Sequence, residues 1–166
     1  MNKYLAFLFL MIGSFSSYSQ AVMFGVAGSY GSSIDQVAPN FRLYYGATEQ
    51  LCFGPEYTFY QRKIDESEKV TLDEIGFVVH YIFELKKKVG LYPVLGINYS
   101  IEKEIEHAHL VHQKKAFGAS IGAGMHVSIK NFMPFVEYKY ITGALSQHTV
   151  SAGLFYNLHF GSHSKH

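Results

Sequence analysis

From Ala21 onward, apolar residues recur at every second position in run after run, and the positions between them are largely small or polar. A period of two is the spacing of a β-strand, whose successive side chains point to opposite faces. Residues 117–129 show it most fully: Phe117, Ala119, Ile121, Ala123, Met125, Val127 and Ile129 share one face, and Gly118, Ser120, Gly122, Gly124, His126 and Ser128 the other. Residues 89–101 and 148–160 repeat the pattern, and the segments 89–101, 116–129 and 148–160 contain no Asp, Glu, Lys or Arg. A soluble sandwich or lipocalin-like barrel turns one face to water and carries charge on it. A face of Gly, Ser, Asn and His suits a narrow interior instead, with the aliphatic face turned to lipid.

Eight alternating segments are predicted, over 21–30, 39–46, 51–61, 71–84, 89–101, 115–129, 132–142 and 148–160. The expected fold class is therefore all-β, an eight-stranded antiparallel up-and-down transmembrane β-barrel. Its connections alternate: short turns near 47–50, 85–88 and 130–131, and longer polar loops over 31–38, 62–70, 102–114 and 143–147. Aromatic belts at the two membrane interfaces are expected from Tyr57, Phe59, Tyr81, Phe83, Tyr138, Tyr140, Tyr156 and Phe160. Pro55, Pro93 and Pro134 fall inside predicted strands, where each removes a ladder donor, so bulges or weak pairing are expected there.

Residues 1–19 read as a secretory signal peptide, with Lys3 as the positive start, a nine-residue apolar core over 4–12, and Ser17 and Ser19 at the cleavage subsites. That core is too short to cross about 30 Å of hydrocarbon. Residues 20–160 are then the barrel domain and 161–166 a flexible C-terminal tail. With 14 basic and 13 acidic residues, the chain has no basic field for nucleic acid, and 48% hydrophobic content argues against disorder. The single cysteine, Cys52, rules out an internal disulfide, a multi-cysteine zinc site and a CxxC redox pair.

The segments YPVLGINY (92–99), FGASIGAGMHVSI (117–129), PFVEYKY (134–140) and YNLHF (156–160) together resemble the small outer-membrane β-barrel family that includes the OmpA transmembrane domain and OmpX. The resemblance spans the whole of 21–160. It implies a barrel in a Gram-negative outer membrane, short turns on the periplasmic side, long loops outside, and partners in outer-membrane lipid and the barrel-assembly machinery. It also implies paired carboxylates and bases in the interior, with Glu137 in VEYKY the best match.

Alternation places Arg42, Glu56, His80, His126, Glu137 and Lys139 on inward faces. An isolated charge there is costly, so a paired interior network is expected. The preferred reading is a filled interior with a structural or surface-interaction role, any extracellular ligand being held by the loops at 62–70 and 102–114. The alternatives are a low-conductance pore, in which the charges rearrange to admit ions, and a secreted soluble barrel with an apolar ligand inside. No cofactor and no catalytic residue is expected.

His107, His109 and His112 have a spacing that can hold zinc or copper, but a solvated charged loop is the preferred reading; His163 and His166 add to adventitious capture. A lipid A deacylase would need a His and Ser acting together, and His148 to Ser151 gives only HTVS. The lysines at 86–88 read as a solvated turn, and FGASIGAG, with no helix after it, as the small face of a strand rather than a phosphate loop.

Overall fold

The structure is a computed structural model that describes residues 20–65, 68–86, 88–107 and 109–160. The expected signal peptide and the tail after residue 160 lie outside the described residues. The strands are β1 (Gln20–Gly31), β2 (Gln36–Gly46), β3 (Leu51–Lys63), β4 (Glu68–Tyr81), β5 (Phe83–Lys86), β6 (Val89–Glu106), β7 (His109–Val127), β8 (Phe132–Ile141) and β9 (Gln147–Phe160). Because β5 continues β4 beyond Ile82, the nine segments form eight staves. Neighbouring staves are antiparallel, β4 pairs with β6, and β9 returns to β1, so the sheet closes into an up-and-down barrel.

Paired residues can be followed once round the wall, from Ala21 through Gly46, Cys52, His80, Val94, Gly122, Lys139 and Thr149 to Gly31. The circuit ends ten residues along the strand on which it began. Eight strands closed with that stagger tilt by about 40° to the barrel axis.

The prolines mark the weak rungs. Pro55 keeps Phe77 as a partner on β4, but the β2–β3 ladder breaks between Arg42↔Glu56 and Tyr45↔Phe53, losing the rungs at Pro55 and Gly54 while the register is unchanged. Pro93 keeps Ala123 on β7, while opposite it the ladder to β4 and β5 stops at His80↔Val94 and resumes at Phe83↔Leu91. That missing donor is the physical reason the fourth stave, expected as one strand, is split at Ile82. At Pro134 the β7–β8 ladder ends. The expected bulges are not at prolines: they lie at Glu84/Lys86 and Glu104/Ile105.

Two of the predicted loops are largely strand. Residues 102–106 and 109–114 are the ends of β6 and β7, with a turn at His107, and strand pairing between β3 and β4 likewise runs out to Lys63↔Lys69. Above the lipid both faces of a strand meet water, so apolar alternation disappears while the ladder persists. Oppositely charged residues such as Glu102 and Lys114 face each other across it.

The outer wall is apolar. Phe117 is 78% exposed, Ile97 66% and Val26 57%, values that only a hydrocarbon surround makes favourable. Aromatic pairs collect toward the two ends of the wall: Tyr81 with Phe83 and Phe132 with Tyr156 near the short turns, Tyr99 with Phe117 toward the hairpins. The polar faces point inward, the reverse of what a soluble barrel around an apolar ligand requires.

Candidate functional site: the ionic layer in the lumen

Inside the wall, four staves direct charge into one layer. Arg42 comes from β2, Glu56 from β3, His80 from β4, and Glu137 and Lys139 from β8; all five are buried. Arg42 Nη1 lies 2.9 Å from Glu137 Oε1, and Lys139 Nζ bonds Glu56 Oε1 and stands 3.7 Å from Glu137 Oε1. His80 Nε2 is 3.6 Å from Glu137 Oε2, and Arg42 Nε is 3.9 Å from Glu56 Oε2. Two fixed cations thus meet two carboxylates across the lumen, and Glu137 touches Arg42, Lys139 and His80. In a low-dielectric interior such mutual pairing is what makes four buried charges tolerable.

Neutral groups complete the layer. Tyr44 Oη donates to Glu56 Oε2 at 3.2 Å, Arg42 Nε to Asn40 Oδ1 at 2.5 Å, and Asn40 Nδ2 to Thr58 Oγ1 at 2.8 Å. The Arg42 guanidinium also lies 4.6 Å above the Phe135 ring. Toward the hairpins, Gln147 Nε2 donates to Glu74 Oε1 at 2.6 Å, and Ile34, Ala38, Tyr60 and Leu72 form an apolar cap. Toward the turns, Tyr44, Tyr92, Phe135 and Phe155 close an aromatic layer, with His80 stacked on Tyr92 at 4.6 Å. The lumen is therefore filled by side chains from the apolar cap to the aromatic layer, as an eight-stranded barrel is narrow enough to be.

Gly76 makes room for this network. A methyl group there would stand 2.9 Å from Glu56 Cγ and 3.0 Å from its Oε1. Gly76→Ala is expected to push the carboxylate off Lys139 and to lower stability by about 1–3 kcal/mol, read as an earlier midpoint in urea unfolding.

The other sequence candidates fall elsewhere. His126 is inside but outside the ionic layer, stacked on the far side of Tyr92 at 5.8 Å. His107 sits in the exposed hairpin turn, 3.6 Å from Glu106, while His109 pairs with Glu106 and His112 with Glu104 across the hairpin. Among the described residues no three His, Cys, Asp or Glu side chains are grouped to hold a metal. His148 and Ser151 lie on opposite faces of β9: His148 Nδ1 bonds Tyr138 Oη at 2.7 Å outside, and Ser151 Oγ donates to Ser29 at 2.9 Å inside. They are not a nucleophile and base pair. Glu74 is the functional-type residue that the sequence reading missed, although it shares the parity of His80 on the same strand.

A closed eight-stranded barrel with an apolar outer wall and a polar interior is the architecture of small outer-membrane barrels. No protein-family model and no curated protein sequence matches the chain. Solved structures do match it. Ail, the attachment invasion locus protein of Yersinia pestis, superposes with a TM-score of 0.62 at 15% identity, covering 85% of this chain and 99% of Ail. Neisserial surface protein A gives 0.65 at 16% identity over 85% of this chain and 97% of its own. The outer membrane protein OprG from Pseudomonas aeruginosa gives 0.66 at 8% identity, over 86% and 97% respectively. At these identities the likeness is one of fold.

Proposed function

We propose that the chain is an outer-membrane protein of the OmpA and OmpX kind, exported by a signal peptide over 1–19 and inserted by the barrel-assembly machinery. Its plugged lumen serves as a rigid pedestal, and its work is surface interaction at the hairpin end. The observation that carries this reading is an open edge. β7 pairs with β8 only from Ser120 to His126, although it begins at His109, whereas β6 is paired with β4 up to Glu106. The outer half of β7 therefore presents unused backbone donors and acceptors, a template on which an extended segment of another protein can add as a strand.

Charge gives little selectivity for anions at this end. Among the described residues Arg62, Lys63, Lys69, Lys103, Lys114 and Lys115 are matched by Asp65, Glu68, Asp73, Glu102, Glu104 and Glu106. Ail has been crystallised with the heparin analogue sucrose octasulfate. The balanced charge here favours a protein partner over a sulfated one.

Fractionation of cells producing the full chain tests the location: the product is expected in the outer membrane, migrating differently on gels before and after heating. Trypsin added to intact cells is expected to cut at Lys103, Lys114 or Lys115. Replacing residues 104–112 with Asn-Gly is expected to leave heat-modifiable migration intact while abolishing adhesion by cells that display the chain. A soluble product, or hairpins shielded from trypsin in intact cells, sinks the proposal. Steady single-channel conductance of the purified chain in planar bilayers would favour the pore reading instead.

A further inference from the structure

At the turn end of the lumen, away from the hairpins, a cleft of about 420 Å³ opens below the aromatic layer. Four of the side chains lining it are Met23 on β1, Cys52 on β3, His126 on β7 and Met133 on β8. The three sulfur-bearing residues also belong to one contiguous buried cluster, so separate strands bring them together rather than chain neighbourhood. Met and Cys at such positions are ordinary packing residues when the surroundings are closed and satisfied. Here the surroundings are neither.

His126 is only 6% exposed, with its ring stacked on Tyr92 at 5.8 Å. Its ring rests over the bare backbone of Gly90, where a methyl group would stand 2.7 Å from Nε2. Asn157 lines the same cleft; its Nδ2 faces Met133 Sδ at 3.9 Å, and its Oδ1 is buried without a partner. A buried polar atom left unsatisfied, as Asn157 Oδ1 is, calls for a missing partner. Glu49 and Glu84 stand at the mouth as carboxylates that attract a cation, and among the described residues no Lys or Arg lines the cleft.

We propose that this cleft is a binding site for one soft monovalent cation, copper(I) by its donor chemistry, held by the Cys52 sulfur, the Met23 and Met133 thioethers and the His126 imidazole. Thioethers are poor ligands for zinc and for hard cations, and a thiolate with thioethers and imidazole selects copper(I). Binding displaces the Cys52 thiol proton to solvent, and no electron is transferred. The site is independent of the hairpin histidines, which lie at the other end of the barrel, and of the surface role proposed above.

The test is titration of silver(I), a redox-silent analogue of copper(I), into the full chain folded in detergent micelles, followed by copper(I) in competition with a coloured copper(I) chelator. One equivalent is expected to bind, with an ultraviolet sulfur-to-metal band. Cys52→Ser is expected to weaken it by at least about tenfold, and Met23→Leu with Met133→Leu by a similar factor. A variant with His107, His109 and His112 all replaced by Ala is expected to bind unchanged. Heat-modifiable migration establishes that each variant is folded, and the two-methionine variant carries the test where Cys52→Ser does not fold. The proposal is overturned by absence of stoichiometric binding, by binding that survives loss of the sulfur ligands, or by zinc binding as tightly as silver.

Discussion

Alanine in place of Glu137 is expected to lower the unfolding free energy of the barrel by about 3–5 kcal/mol, the usual cost of removing one partner from a buried ionic set. Glu137 contacts Arg42, Lys139 and His80, whereas Glu56 retains the Tyr44 hydroxyl and Lys139. Its loss strands the Arg42 guanidinium in an interior that offers Asn40, Glu56 and the Phe135 and Phe155 rings as compensation. Reversible urea unfolding in phospholipid vesicles reads the effect. Removing both charges, as Arg42→Met with Glu137→Met, is expected to recover much of the loss, because no unpaired charge remains. An equal loss in the single and double variants would mean that the pair itself, rather than the orphaned cation, stabilises the fold. The same single variant is expected to admit more ions in planar bilayers, since the ionic layer spans the lumen and Glu137 holds two of its cations.

Arginine at Ile121 is expected to have the next largest effect. Ile121 is 55% exposed on the outer wall and sits beside Leu95 and Tyr140 in register. A guanidinium there, near the middle of the lipid-facing band, costs about 2–4 kcal/mol. Val111→Arg makes the same chemical change on the projecting hairpin, where the cost falls to about 0–1 kcal/mol. Val111 is 60% exposed, so exposure alone does not separate the two sites; the surrounding medium does. Equal insertion efficiency and equal urea midpoints for the two variants would contradict a lipid-facing wall.

Strand identity was legible wherever one face of the chain meets lipid and the other the lumen. Residues 116–129 carry that contrast without interruption, and their strand lies where alternation puts it. Parity alone also separates Arg42, Glu56, His80, Glu137 and Lys139 from the outward residues beside them. It does not tell which of them meet across the lumen, because that depends on the stagger of the whole barrel, which no single segment encodes. Tyr44, Asn40 and Gln147 escaped notice for another reason: they are neutral, and their roles arise only from the charged neighbours the closed wall provides. The projecting hairpin was illegible because its two faces share one environment, which leaves strand pairing with no hydrophobic signature.

The ten-residue stagger has a consequence for how such a chain can vary in length. Inward and outward positions alternate, so a circuit of the wall has to come back to a residue of the same facing, and only even staggers allow that. One residue gained or lost within a closed stave would make the return odd and turn a greasy face toward the charged lumen somewhere along the seam. Both register shifts in this structure lie beyond the complete ring: one beside the turn after β5, where β3 no longer pairs, the other on the hairpin, where β8 no longer pairs. The open ends of the barrel can thus absorb single-residue changes, while its closed girdle can change length only in steps of two.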